Sequence, residues 1–213
     1  VLGLQAWVIR PGLNNTFNRT PPEKAISEIF TSKASISKKN CWSSLAETNT
    51  LALESFSKFD NIELYDLTFT SYDNSVIYAK YIKNINYRKL YPHKNIPLLF
   101  YFHGYPASNR NWLEKSTFAT LGFDVVAIDF RNQGGKSKDL GNSAPSVFGH
   151  LTVGLDENIE DMIFYKNILD TLILSKIVST FKDINEKEIV SFGASQGGAF
   201  SIIFSFELDT GCY

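Results

Sequence analysis

The chain is short of almost everything that marks a specialised polypeptide. Two cysteines, Cys41 and Cys212, stand among 213 residues, too few for a disulfide framework and without metal-ligand spacing. Charge of one sign is missing too: 21 Lys+Arg face 22 Asp+Glu, a net charge of −1. No overall field therefore draws nucleic acid or anionic lipid, and no local basic patch takes its place. Apolar runs stop well before the roughly 18 residues of a membrane-spanning helix, so a soluble chain is expected and neither nucleic acid nor membrane is an expected partner. Val1–Ile9 is apolar but lacks a basic leader and a small-residue cleavage site, which places the expected location in the cytoplasm. For the same reason Asn14-Asn-Thr16 and Asn18-Arg-Thr20 are read as chance sequons. The sole methionine, Met162, is no initiator, and a clipped or frameshifted copy of a longer protein is the expectation.

What is present is ordinary globular material. Hydrophobic residues at 44% and charged residues at 20% exclude a disordered, collagen-like or coiled-coil chain. At about 150 residues per domain, the length fits one domain with an appendage. Residues 1–60, rich in Ser, Lys, Asn and Thr from Pro21 to Phe59 with Ile26, Ile29 and Phe30 at helix-like intervals, read as a helical N-terminal extension. Residues 61–213 read as the main domain.

That domain opens with β-forming Ile62–Thr70, turn-rich Ser71–Ser75 and a second β run, Val76–Ile82, which together predict a hairpin. Ile96–Phe102 and Phe123–Phe130 are continuous apolar runs of the length expected for strands buried on both faces. A crossover helix over Asn111–Leu121 fits between them. Asp156–Phe181 carries apolar residues in steps of three and four, one long amphipathic helix. Glu188–Phe192 is a third core strand and Gln196–Glu207 a further helix. Strands alternating with helices predict an α/β fold with a mostly parallel sheet flanked by helices.

Between the third strand and its helix stands Gly193-Ala-Ser195-Gln-Gly197, a G-x-S-x-G nucleophile elbow in the strand–turn–helix setting the motif requires. The spacing is steric: a sharp turn lifts the serine hydroxyl into the open, and small flanking residues let strand and helix pass closely. Phe102-His-Gly-Tyr105 follows the first buried strand, where a second oxyanion-hole donor is found in such hydrolases. Tyr105 N–H and Gln196 N–H are the candidate donors, and His103 reads as a packed histidine. Gly135-Lys136-Ser137 is no phosphate loop, because the first glycine of that motif would fall on Phe130. No G-x-G-x-x-G follows a strand either, so no dinucleotide fingerprint is present.

Phe102–Tyr105, Asp129-Phe-Arg-Asn-Gln-Gly-Gly-Lys-Ser137 and Gly193–Gly198, in that order and at those intervals, together with Tyr65–Phe69 and Ala79-Lys80, resemble the acetyl xylan esterase and cephalosporin C deacetylase family. This is carbohydrate esterase family seven, a group of α/β-hydrolases. The resemblance covers roughly Asn61 to Leu208. It implies Ser195 as the nucleophile, Tyr105 and Gln196 as backbone oxyanion donors, and Arg131 and Gln133 as residues that organise loops near the site. Asn132 stands where the family has glycine, and asparagine tolerates a positive φ there better than most residues. The implied activity is removal of acetyl groups from small acetylated sugars and related esters, with no metal or organic cofactor. The implied partners are that ester substrate and, in the full-length form, further copies of the chain as a homo-oligomer.

Hydrolases of this fold take their triad in the order serine, acid, histidine. After Ser195 come Glu207 and Asp209 but no histidine; His93, His103 and His150 all lie upstream. The triad acid and histidine are therefore expected to be absent from this chain. The fold should be C-terminally incomplete, the third core strand should have an uncovered outer edge, and the chain alone should be inactive and poorly soluble. Two rivals stand beside this reading: a prolyl-oligopeptidase-type peptidase fragment, and a non-catalytic remnant acting as a binding module.

Overall fold

A computed structural model describes residues 5–9, 51–58, 61–109, 111–140, 152 and 158–209. In chain order the elements are β1 (Gln5–Ile9), β2 (Leu51–Lys58), β3 (Ile62–Thr70), β4 (Val76–Asn84), α1 (Ile85–Leu90), β5 (Ile96–Phe102), α2 (Trp112–Thr120), β6 (Asp124–Ile128), α3 (Ile163–Ser179), β7 (Ile184–Ala194) and α4 (Gln196–Asp209). The strands form one sheet in the order β1-β7-β5-β6-β4-β3-β2. Only β7-β5-β6 is parallel; β4, β3 and β2 continue one side antiparallel and β1 closes the other antiparallel. The sheet is mixed, its parallel part confined to the strands that carry crossover helices.

The central strands alternate their side chains into two cores. Leu98, Phe100, Phe102, Val126 and Ile128 face α3 and α4, where Ile173, Leu174, Val178, Phe200 and Phe204 meet them. Leu99, Tyr101, Val125, Ala127, Val190 and Phe192 face α2 through Phe118 and Ala119. Burial on both faces is why these strands read as unbroken apolar runs. A fully buried side chain such as Phe100 contributes about 1.5–3 kcal/mol of transfer free energy. At the far end of β6, buried Asp124 accepts from Tyr81 Oη, from the Asn84 N–H and from both terminal nitrogens of Arg88, tying α1 to the sheet.

Several expectations shift. The hairpin and the two apolar strands stand where the pattern placed them. The helical extension does not reach residue 58: β2 pairs with β3 residue by residue, with a bulge between Ser55 and Ser57. Residues 51–58 thus belong to the sheet, because Leu51–Lys58 finds a neighbouring edge that local periodicity cannot reveal. The remainder of that extension, residues 1–4, 10–50 and 59–60, lies outside the described residues, as do both cysteines and both sequons. The long helix begins at Ile163, since Met162 is extended (φ −64, ψ 125) after a short 3₁₀ turn over Ile159–Asp161. The third core strand runs from Ile184, and its outer edge is not bare: β1 pairs along it from Gln5↔Ala194 to Ile9↔Val190.

Candidate active site

The parallel strands β5, β6 and β7 end on the same side of the sheet, and the three sequence motifs sit on the loops that leave them. Ser195 is the residue between β7 and α4. It is exposed and holds φ +56, the left-handed region, where a non-glycine residue carries strain of order 1–3 kcal/mol. The glycines on either side are demanded by close approach. A Cβ on Gly193 would lie 2.4 Å from the Gly197 carbonyl carbon, and one on Gly197 would lie 2.1 Å from the Phe102 carbonyl oxygen. Strand, turn and helix are interlocked at distances only glycine permits, and the lock reaches the end of β5, where the Tyr105 loop begins.

The N–H groups of the first turn of α4 have no partner four residues earlier within their own helix, and they lie beside Ser195 at the positive end of the helix dipole. The ladder begins with Gly198 N–H and Ala199 N–H donating to the Ser195 carbonyl at 2.9 and 3.2 Å. Gln196 is buried, and its Nε2 donates to Gln133 Oε1 at 3.0 Å. That contact joins the serine turn to the loop after β6.

Arg131 anchors that loop and is wholly buried. Nε and Nη2 reach the two oxygens of Asp170 at 2.6 and 2.7 Å. Nη2 and Nη1 also take Asp73, and Nη1 donates to Asp139 at 2.6 Å and to Ser75 Oγ at 3.1 Å. Burial alone would lower the guanidinium pKa; the hydrogen bonds and charges of Asp170 and then Asp73 outweigh it and hold the group firmly cationic. Burial likewise pushes the Asp73 carboxyl up, but Arg131 holds it below the usual carboxylate range. Asn132 has φ +57, the left-handed geometry expected at that position. Of these partners the sequence reading named none. Asp170 did leave a signal: it lies on the buried stripe of α3 with Asn167 and Leu174, and a carboxylate there requires a cationic partner.

His103 is a packed histidine, as its surroundings in the sequence implied. Its ring is 3% exposed; the Phe130 N–H donates to Nε2 at 3.1 Å, which puts the proton on Nδ1, where it donates to the Gly104 carbonyl at 2.9 Å. Burial pushes the imidazole pKa down, against the weaker pull of the Gly104 carbonyl and Asp129. Both nitrogens are committed, so this ring is not oriented as a base for Ser195. His93 is exposed in the turn before β5, at the opposite end of that strand from the motif loops. His150 lies outside the described residues. Glu207 is half-buried on α4, and burial pushes its carboxyl up. Among the described residues no cluster of His, Cys, Asp or Glu is arranged to hold a metal ion, and no helix is long and apolar enough to cross a membrane.

A parallel β-strand triplet ending in a strained, exposed serine at a helix N-terminus defines an α/β-hydrolase-fold scaffold. The acetyl xylan esterase (AXE1) family model matches residues 40–208, more than half of the chain, and the chain belongs to that family. Among solved structures, it is similar to acetyl xylan esterase 1 from Thermoanaerobacterium sp. JW/SL YS485, at 34% identity and a TM-score of 0.64, over 76% of this chain and 51% of that one. An acetyl xylan esterase from Paenibacillus sp. R4 matches at 22% identity and a TM-score of 0.61, over 74% and 50% of the two chains. An S-formylglutathione hydrolase from Agrobacterium tumefaciens shares the fold at 16% identity and a TM-score of 0.51, over 72% and 57%. The chain thus spans about half the length of the two esterases.

Proposed function

We propose that the protein is the serine-bearing part of a carboxylic-ester hydrolase that removes acetyl groups from small acetylated sugars and related esters, with cephalosporin C deacetylase-type substrates included. The observation that carries this is Ser195: exposed, at φ +56, at the N-terminus of α4. Ser195 Oγ attacks the acetyl carbonyl carbon and the sugar alkoxide leaves with a proton, giving an acyl-enzyme that water hydrolyses to acetate and free serine. The Gln196 and Tyr105 N–H groups stabilise the oxyanion. Arg131 and Gln133 act at one remove, Gln133 through the Gln196 side chain. The acid and base that serve Ser195 are not among the described residues. The proposed partners are the ester and, in an assembled form, further copies of the chain.

The test is a chimera in which residues 61–208 replace the matching segment of the Thermoanaerobacterium esterase. It is expected to release p-nitrophenol from the acetyl ester, and Ser195→Ala should reduce that rate by at least about a thousandfold. Hydrolysis unaffected by Ser195→Ala removes the nucleophile assignment. The 213-residue chain itself is expected to show the same background rate with and without Ser195. A second reading, a non-catalytic binding module, gains if the chimera is folded but inert.

A further inference from the structure

Helix α4 is apolar on both sides. Phe200, Phe204 and Leu208 fill the core beneath it. Its outward stripe carries Ala199, Ile202 and Phe206, spaced by three and four, with Ile202 54% and Phe206 58% exposed. Glu207 and Asp209 are its only charged residues. α2, on the other face of the sheet, has an ordinary solvent side, where Glu114, Thr117 and Thr120 accompany exposed Leu113. A helix apolar all round belongs inside a larger body.

The sheet is open on the same side. α4 packs beside β7 and β1, and β1 pairs with β7 only over Val190–Ala194. Among the described residues, the earlier part of β7, from Ile184 to Ile189, has no strand on its outer side. A free strand edge and an apolar helix face therefore stand together at one border of the molecule.

Length decides what covers that border. The Thermoanaerobacterium esterase is matched over only 51% of its chain, and the family match here ends at residue 208, inside α4. Hydrolases of this fold place acid and histidine after the serine, so the unmatched part of that relative includes the chain that follows this helix. A second copy fits less well. A contact through Ala199, Ile202 and Phe206 alone falls far short of the about 800 Å² per partner that a stable complex buries, whereas a body that also extends the sheet from β7 buries more. We propose that the outward face of α4 is an interface that receives the part of an acetyl xylan esterase following this helix. The occupant lays an apolar face on Ile202 and Phe206 and brings a Lys or Arg to Glu207, which stands at the negative end of the α4 dipole in a turn without a basic residue. The proposal rests on family membership and not on the chemistry assigned to Ser195.

The experiment co-expresses the 213-residue protein with the segment of the Thermoanaerobacterium esterase that follows its counterpart of α4, and reads association by co-purification and equilibrium sedimentation. A one-to-one complex is expected. Ile202→Glu and Phe206→Glu should weaken it at least about tenfold, and Leu113→Glu, at an exposed apolar site on α2, should leave it unchanged. Thermal unfolding gives a second reading: Phe206→Glu should leave the midpoint of the 213-residue protein unchanged and lower that of the chimera described above by at least about 5 °C. The proposal is overturned by absence of a complex, by a complex indifferent to Phe206→Glu, or by an equal loss with Leu113→Glu. It is overturned too by a dimer of this chain alone that Phe206→Glu breaks, which makes a second copy the occupant, or by an equal thermal loss in the 213-residue protein, which means its own residues already cover the face. Hydrolysis of p-nitrophenyl acetate is read separately: a complex that forms through α4 but stays silent supports the interface and counts against the ester-hydrolase reading.

Discussion

Two neighbouring loops leave the same end of the sheet and are built on opposite principles. The Arg131 loop is held by charge: one wholly buried guanidinium is shared among Asp73, Asp139 and Asp170, with Lys166 on Asp139 at 3.3 Å. The serine turn contains no charged residue from Gly193 to Gly198, and it is held by the absence of side chains that would block its contacts with Phe102 and Gly197. Charge pairs set position from far apart in sequence and are costly to break singly. Steric interlocking sets position by close backbone approach, within the turn and against the end of β5, and leaves the serine exposed and strained. The Gln133–Gln196 hydrogen bond joins the two.

The comparison breaks first at Arg131. Arg131→Met leaves Asp170 buried without its cation and is expected to cost about 3–5 kcal/mol in urea unfolding, with part of the loss restored by Asp170→Asn in the same chain. A loss below about 1 kcal/mol would mean that charge does not hold this loop. At the serine turn, Gly197→Ala forces a methyl against the Phe102 carbonyl and is expected to cost about 3 kcal/mol, because backbone on both sides leaves little room to yield; a near-neutral result would refute the interlock.

A smaller effect separates the loops by pH. The folded His103 resists protonation because it is buried and because Nε2 accepts the Phe130 N–H, while the unfolded ring protonates near its ordinary value of 6.5. The unfolded state then binds the extra proton, so stability is fully present above that value and falls as pH drops through it toward the lower folded value. His103→Gln should flatten the profile between about pH 7 and pH 5, read by thermal unfolding at fixed ionic strength. Smallest is Ser195→Gly, which relieves the positive φ and is expected to stabilise by about 0.5–1 kcal/mol. Destabilisation there would show that the turn is not strained.

The parts of the fold readable in advance were those whose cause is local. Ile96–Phe102 and Phe123–Phe130 announced buried strands because both faces of their sheet are covered. The alternating Ile62–Thr70 and Val76–Ile82 announced a hairpin around Ser71–Ser75. The serine turn was readable because the glycines that shape it stand two positions either side of Ser195, although the contact that demands Gly197 comes from Phe102 on a distant strand. What eluded reading depends on partners distant in the chain. Asp73 and Asp170 reach Arg131 across 58 and 39 positions, and β1 reaches β7 across most of the sequence. Met162 kept the apolar spacing of a helix while its backbone turned extended, so periodicity alone set that helix too early.

Sequence by itself determined where the serine, its flanking glycines and the apolar strands stand, because sterics and burial period act within a turn or a strand. Tertiary structure alone decided that Arg131 would be enclosed by three carboxylates, that His103 would spend both nitrogens on the backbone, and that Gln133 would hold Gln196. Those outcomes are set by burial, which raises the cost of an unpaired charge or donor until folding brings a distant partner to meet it.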